Sequence, residues 1–141
     1  MEYNFLLLED NKLSIQKNEG FLRLNQDNLD SLKADYSLIS TNKIKGSNPP
    51  YSKVIELLKD NEVVINFEKV SSALKEVENN KIIAHLNRES FRKISFPIFV
   101  QSEYLKNYLK NSGLKFELSL FLENSNFLKI ELEYLCHLLI L

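Results

Sequence analysis

One cysteine, no tryptophan, three glycines and three prolines in 141 residues rule out several kinds of protein at once. A lone cysteine excludes an internal disulfide, so packing alone must hold the fold, and the count suits a reducing cytosol. Scarce glycine removes the phosphate-cradling loop. No glycine cluster precedes a helical stretch, so neither a phosphate loop nor a dinucleotide fingerprint is available. Structural zinc takes about four nitrogen or sulfur ligands, and Cys136, His85 and His137 fall short of that. No metal and no cofactor are therefore expected. Long apolar runs are missing too. The N-terminal MEYNFLLLED carries acids where a signal peptide needs a basic region, and the apolar C-terminal tail is far shorter than the about 20 residues that cross a bilayer. A cytoplasmic location without a membrane partner is the expectation.

Excess charge of one sign is also lacking. Eighteen Lys and Arg against nineteen Asp and Glu leave a net charge of -1, so no bulk attraction to nucleic acid or anionic lipid follows. The length fits a single domain over residues 1–141, large enough to bury roughly two thirds of its unfolded surface.

What is present is strongest at the C-terminus. Phe116, Leu118, Leu120 and Leu122 alternate, and Leu128, Ile130, Leu132, Tyr134, Cys136 and Leu138 do so again after Asn124-Ser125-Asn126. Period-two alternation predicts two strands, and an odd loop length sets both apolar series on one face. The other face then carries Lys115, Glu117, Lys129, Glu131 and Glu133, with Glu117 across from Glu133. Cys136 falls among the apolar residues and reads as a small core residue. Cys136 and His137, adjacent in a strand, point to opposite faces and cannot act together as nucleophile and base.

At the other end, Tyr3–Leu8 and Lys12–Gln16 read as strands around Asp10-Asn11, pairing Leu6 and Leu8 with Ile15 and Leu13, and Phe21–Leu24 adds a third. Leu29, Leu32, Tyr36 and Ile39 have helical spacing after Asp27 or Asn28 as cap. Thr41–Pro50 is a loop. Tyr51–Leu58 reads as a helix, Glu62–Phe67 as a strand, and Val70, Leu74 and Val77 mark another helix ended by Asn79-Asn80. Lys81–Leu86 reads as a strand followed by a helix over Arg88–Ile94, with one continuous helix as the rival. Pro97 interrupts, Ile98–Val100 forms a strand, Ser102 caps a helix carrying Tyr104, Leu105, Tyr108 and Leu109, and Gly113 ends it. The expected fold is α+β: an N-terminal meander and a long C-terminal hairpin share a mainly antiparallel sheet, with helices from the middle of the chain on one face.

Three constellations carry possible chemistry. Glu117 and Glu133 form a carboxylate pair of the kind whose pKa values split for acid and base work, against the plainer reading of a solvated face balanced by Lys115 and Lys129. Lys81, His85, Arg88 and Arg92 make a basic stripe if residues 81–94 are helical, suited to phosphate or a partner carboxylate, against a solvated polar face. Tyr104 and Tyr108 are able to stack on bases, against ordinary core packing.

With no catalytic set evident, the sequence points to a non-enzymatic binding protein, an inhibitor of the toxin-immunity type. It would occlude a partner protein with a basic surface, using Glu117, Glu131 and Glu133 to steer and Tyr134, Leu139 and Leu141 to anchor. A nucleic-acid accessory protein using the basic stripe is the second reading, and a small hydrolase using paired carboxylates the third.

Overall fold

Asp10 and Asn11 both adopt positive φ, 52° and 59°. Two such residues make the type I′ turn whose twist matches that of paired strands. They join β1 (Tyr3–Glu9) to β2 (Lys12–Lys17), with Leu6 opposite Ile15 and Leu8 opposite Leu13 as the sequence predicts. β3 (Gly20–Arg23) completes the meander against β2. The computed structural model describes residues 3–18, 20–41 and 52–130.

Beyond the meander come β4 (Tyr36–Ser40), α1 (Ser52–Asp60), β5 (Val63–Lys69), β6 (Leu74–Glu78), β7 (Lys81–Leu86), β8 (Arg92–Gln101), α2 (Ser102–Ser112), α3 (Leu118–Glu123) and β9 (Phe127–Ile130). Among the described residues seven strands form one sheet in the order β3-β2-β1-β4-β8-β5-β9, and β6 and β7 form a separate hairpin. β1 and β4 are parallel, as are β5 and β9, and the other neighbours run antiparallel. The fold is α+β, but the sheet is mixed.

The central strands explain why helices cover both faces and not one. Val63-Val64-Ile65 and Ile98-Phe99-Val100 are wholly buried, so their side chains enter a core on each side of the sheet. On one side Tyr3, Phe5, Leu38, Val64 and Phe99 pack with Val54 and Leu58 of α1. On the other, Leu6, Ile39, Val63, Ile65, Ile98 and Val100 meet Leu105 and Leu109 of α2 and Phe116 and Phe121. Burying the largest of these side chains contributes about 2 kcal/mol each.

Several predicted elements are corrected. The helical spacing over Leu29–Ile39 yields only a 3-10 turn at Leu29–Ser31, and Tyr36–Ser40 becomes a strand because it fills the slot between β1 and β8. Val70–Val77 is no helix. Asn79 and Asn80 take φ of 51° and 64° and close β6 onto β7 by the same turn chemistry as Asp10-Asn11. Asn87 does cap, accepting a bond from the Glu89 amide at 3.1 Å, but the helix it opens is a 3-10 turn, Arg88–Ser90. Pro97 sits inside β8 without breaking it. The register against β5 slips between Val64 and Asn66, leaving Pro97 in an irregularity where no ladder amide is required of it.

The largest correction is the C-terminal hairpin. Leu118, Phe121 and Leu122 recur at helical spacing, and Leu118–Glu123 is helix α3, with Phe121 buried and Leu120 47% exposed. Tyr104 and Tyr108 of α2 meet Phe121 edge-on, centroids 6.0 and 4.9 Å away. These rings are core packing, the plainer of their two readings. Phe127–Ile130 then pairs in parallel with β5 instead of returning on Phe116–Leu122. Glu117 therefore does not share a hairpin with Phe127–Ile130.

Candidate functional site

The site is built where β4 begins, β8 ends and α2 starts. Asn4 on β1, 7% exposed, donates from Nδ2 toward the Ala34 carbonyl at 3.1 Å, Ser37 Oγ at 3.2 Å and Ser102 Oγ at 3.1 Å, and its Oδ1 accepts from the Ala34 amide at 3.2 Å. Ser37 and Ser102 share a further bond at 2.8 Å. This buried cluster ties two strands to the first turn of α2, and leaves neither hydroxyl unsatisfied.

Gln101 does the same for the end of α1. Its Nε2 reaches the Leu58 carbonyl at 2.6 Å, a helix-terminal acceptor without an intrahelical partner, and its amide donates to Glu62 at 2.9 Å. The Ser102 backbone amide donates to the Asp35 carbonyl at 2.8 Å.

Over this floor opens a cleft of about 350 Å³, lined by Lys33, Asp35, Tyr36, Lys59, Glu103 and Lys106 among others. That volume lies within the span of small-molecule sites, roughly 300–1,000 Å³. Three ammonium groups against two carboxylates leave the wall net cationic. Lys106 is the best placed of the three: its side chain is 15% exposed, and it approaches the exposed Glu103 carboxylate at 3.5 Å. Lysine buries its stem while holding its charge at the opening. The three lysines come from the entry to β4, the end of α1 and the second turn of α2. Nothing in their spacing signalled the meeting. Only the sheet brings them together.

The residues singled out from sequence are not here. Glu117 stands at the N-cap of α3, beside a smaller hollow of about 170 Å³ with Asn11, Tyr108, Ser112, Lys115 and Leu120. Desolvation first, then Glu117 and Tyr104, raise the Tyr108 phenol above its usual value, so it stays protonated at neutral pH. A phenol in that state is no base for the hollow. Glu131, Glu133, Tyr134, Leu139 and Leu141 lie outside the described residues. Lys81 and His85 sit on β7, Arg88 in the 3-10 turn and Arg92 at the start of β8, so the stripe is strung along a hairpin and not along a helix face. Among the described residues no three His, Cys, Asp or Glu side chains gather where they could hold a metal ion. No helix among them is long and apolar enough to cross a membrane.

No protein-family model matches the chain, and no characterised protein matches its sequence. Solved structures do. The 2-C-methyl-D-erythritol 4-phosphate cytidylyltransferase of Thermus thermophilus superposes with a TM-score of 0.58 at 17% identity, over 78% of this chain and 58% of that one. The 4-diphosphocytidyl-2C-methyl-D-erythritol synthase of Anaerococcus prevotii gives 0.55 at 18%, over 79% and 57%. The bifunctional IspDF of Campylobacter jejuni gives 0.52 at 18%, over 79% and 30%. The likeness is one of fold.

The chain spans less than two thirds of the length of these structures. Their fold corrects the expectation of a non-enzymatic inhibitor of the toxin-immunity type, because two proteins that share it are a cytidylyltransferase and a synthase, both enzymes. β1 passes into β2 through the two-residue Asp10-Asn11 turn, so no helix follows β1 and no glycine-rich loop stands at its carboxyl end.

Proposed function

We propose that this chain is part of an enzyme acting on a phosphate-bearing small molecule, held in the cleft between the end of α1 and the start of α2. The observation that carries this reading is the convergence of Lys33, Lys59 and Lys106 on one 350 Å³ cleft. Ammonium groups bind a phosphoryl group by charge-assisted hydrogen bonds, stronger than neutral ones, and Lys33 and Lys59 present theirs from exposed positions at the rim. The same positive charge favours a phosphoryl group as negative charge builds on it during transfer. The Asn4, Ser37 and Ser102 cluster fixes the floor, so the lysines approach a ligand from elements that are already positioned.

The shared fold supports the enzyme class, since one of the structural neighbours is named for acting on 2-C-methyl-D-erythritol 4-phosphate, itself a phosphate ester. Without a glycine-rich loop, lysine side chains take the part that backbone amides play in phosphate loops. Titration of isotope-labelled protein with a sugar phosphate, followed by two-dimensional NMR, tests the reading. Amides of Lys33–Tyr36, Lys59 and Gln101–Lys106 should shift, and the unphosphorylated sugar should move none of them. Shifts confined to other surfaces, or equal shifts with the neutral sugar, would overturn it.

A further inference from the structure

The charges that line the 350 Å³ cleft are of both signs, Lys33, Lys59 and Lys106 with Asp35 and Glu103. Among the described residues they form one ion pair, Lys106 with Glu103 at 3.5 Å. Lys33, Lys59 and Asp35 are exposed and make none there. Two cations and one anion therefore remain for a ligand.

The backbone fixes where these groups start. The Ser102 amide bond to the Asp35 carbonyl, 2.8 Å, seats Asp35 beside the first turn of α2, and Lys33 stands two residues earlier on the same segment. Gln101 Nε2 on the Leu58 carbonyl, 2.6 Å, brings the last turn of α1, and with it Lys59, to the same joint. A phosphate monoester carries a charge of about −2 at neutral pH. A carboxylate without a lysine partner repels it, and is out of place in a site for a plain phosphate ester. The same carboxylate is an asset if the ester carries a positive group of its own.

We infer that the ligand of this cleft is dipolar, a phosphate ester bearing an ammonium group on a short chain, with its phosphate toward Lys33 and Lys59 and its ammonium toward Asp35. The inference rests on the phosphate reading of the cleft and supplies the other end of the ligand. The charges then match in number, two lysines for the phosphate and one carboxylate for the ammonium. Ammonium and carboxylate join by charge-assisted hydrogen bonds, whereas the neutral hydroxyls of a sugar phosphate leave Asp35 facing the phosphate with its charge uncompensated. Asp35 thus selects twice, by attracting the ammonium and by opposing phosphate esters that lack one.

NMR titration with phosphoethanolamine and with glycerol 3-phosphate tests the inference, since both are phosphate monoesters and one alone carries an ammonium. At low salt the wild-type chain should bind phosphoethanolamine about fivefold more tightly, the worth of one exposed ion pair. Asp35→Asn, at an unchanged melting temperature, should weaken phosphoethanolamine and tighten glycerol 3-phosphate. Asp35→Glu keeps the charge and should keep the preference. Parallel changes for the two ligands in Asp35→Asn would overturn the proposal. Equal affinity of the wild type for both would overturn it and leave the phosphate cleft standing, and binding of neither would overturn both.

Discussion

The hydroxyls of Ser37 and Ser102, 65 positions apart in sequence, lie 2.8 Å from each other beneath the cleft, and the Asn4 amide reaches both. Removing Asn4 leaves two buried hydroxyls and the Ala34 backbone without their shared partner. Asn4→Ala should cost about 2 kcal/mol in urea unfolding, with unchanged denaturant sensitivity. A double-mutant cycle with Ser37→Ala should show coupling, because the two substitutions remove the same bond. Additive losses would mean that the cluster does not act as a unit.

The C-terminal correction is tested by neighbouring residues with opposite fates. Phe121 is fully buried and ringed by Tyr104, Tyr108 and Phe116, and Leu120 is solvent-facing. Phe121→Ala should cost about 4 kcal/mol. Leu120→Lys should change stability by less than about 0.5 kcal/mol. If Leu118–Glu123 were a strand, Leu118, Leu120 and Leu122 would share a buried face and the lysine would be the costly change.

The first turn offers a backbone test. Asn11 holds a φ of 59°, and its carbonyl accepts the Phe116 amide at 2.8 Å. Asn11→Ala keeps that carbonyl and incurs the left-handed penalty of an ordinary side chain, about 1 kcal/mol. Asn11→Gly should restore the stability in thermal melts. Equal loss from both would place the effect in the side chain and not in the backbone angle.

Alkaline pH probes Tyr108. Its phenol is raised above the usual value of 10.0, first by desolvation and then by Glu117. The folded chain then keeps a proton that the unfolded chain releases, so stability is intact below the unfolded pKa and falls as pH rises through the folded one. Tyr108→Phe should lessen the decline above pH 10 seen in chemical denaturation, relative to the wild type. An unchanged decline would assign it to other groups.

These tests fall where sequence and structure agree or part for identifiable reasons. The meander was legible because Asp10-Asn11 fixes a turn and the alternation around it fixes the register, both local properties. Asn79-Asn80 carried the same turn signal, but the spacing of Val70, Leu74 and Val77 suggested a helix ending there. Leu118–Leu122 satisfies both periods, two and 3.6. The choice was made by Phe116 and Phe121 entering a core with α2, a long-range contact that no window of sequence contains. The cleft was illegible for the same reason. Lys33, Lys59 and Lys106 are single residues on three elements, and only the placement of β4 between β1 and β8 brings their elements to one rim. Gln101 offered no motif, and Ser102 read as a helix cap, whereas the N-cap is Gln101 and the Ser102 hydroxyl bonds with Asn4 and Ser37.

Calorimetric titration with pyrophosphate bears most directly on the claim that the cleft binds a phosphate-bearing substrate. Wild-type chain should bind with an affinity that weakens as salt is raised, and Lys33→Met, Lys59→Met and Lys106→Met combined should lower it at least a hundredfold at low salt, about 2.7 kcal/mol, while thermal stability is held. Undiminished binding in the triple variant, or no binding by the wild type, would contradict the account.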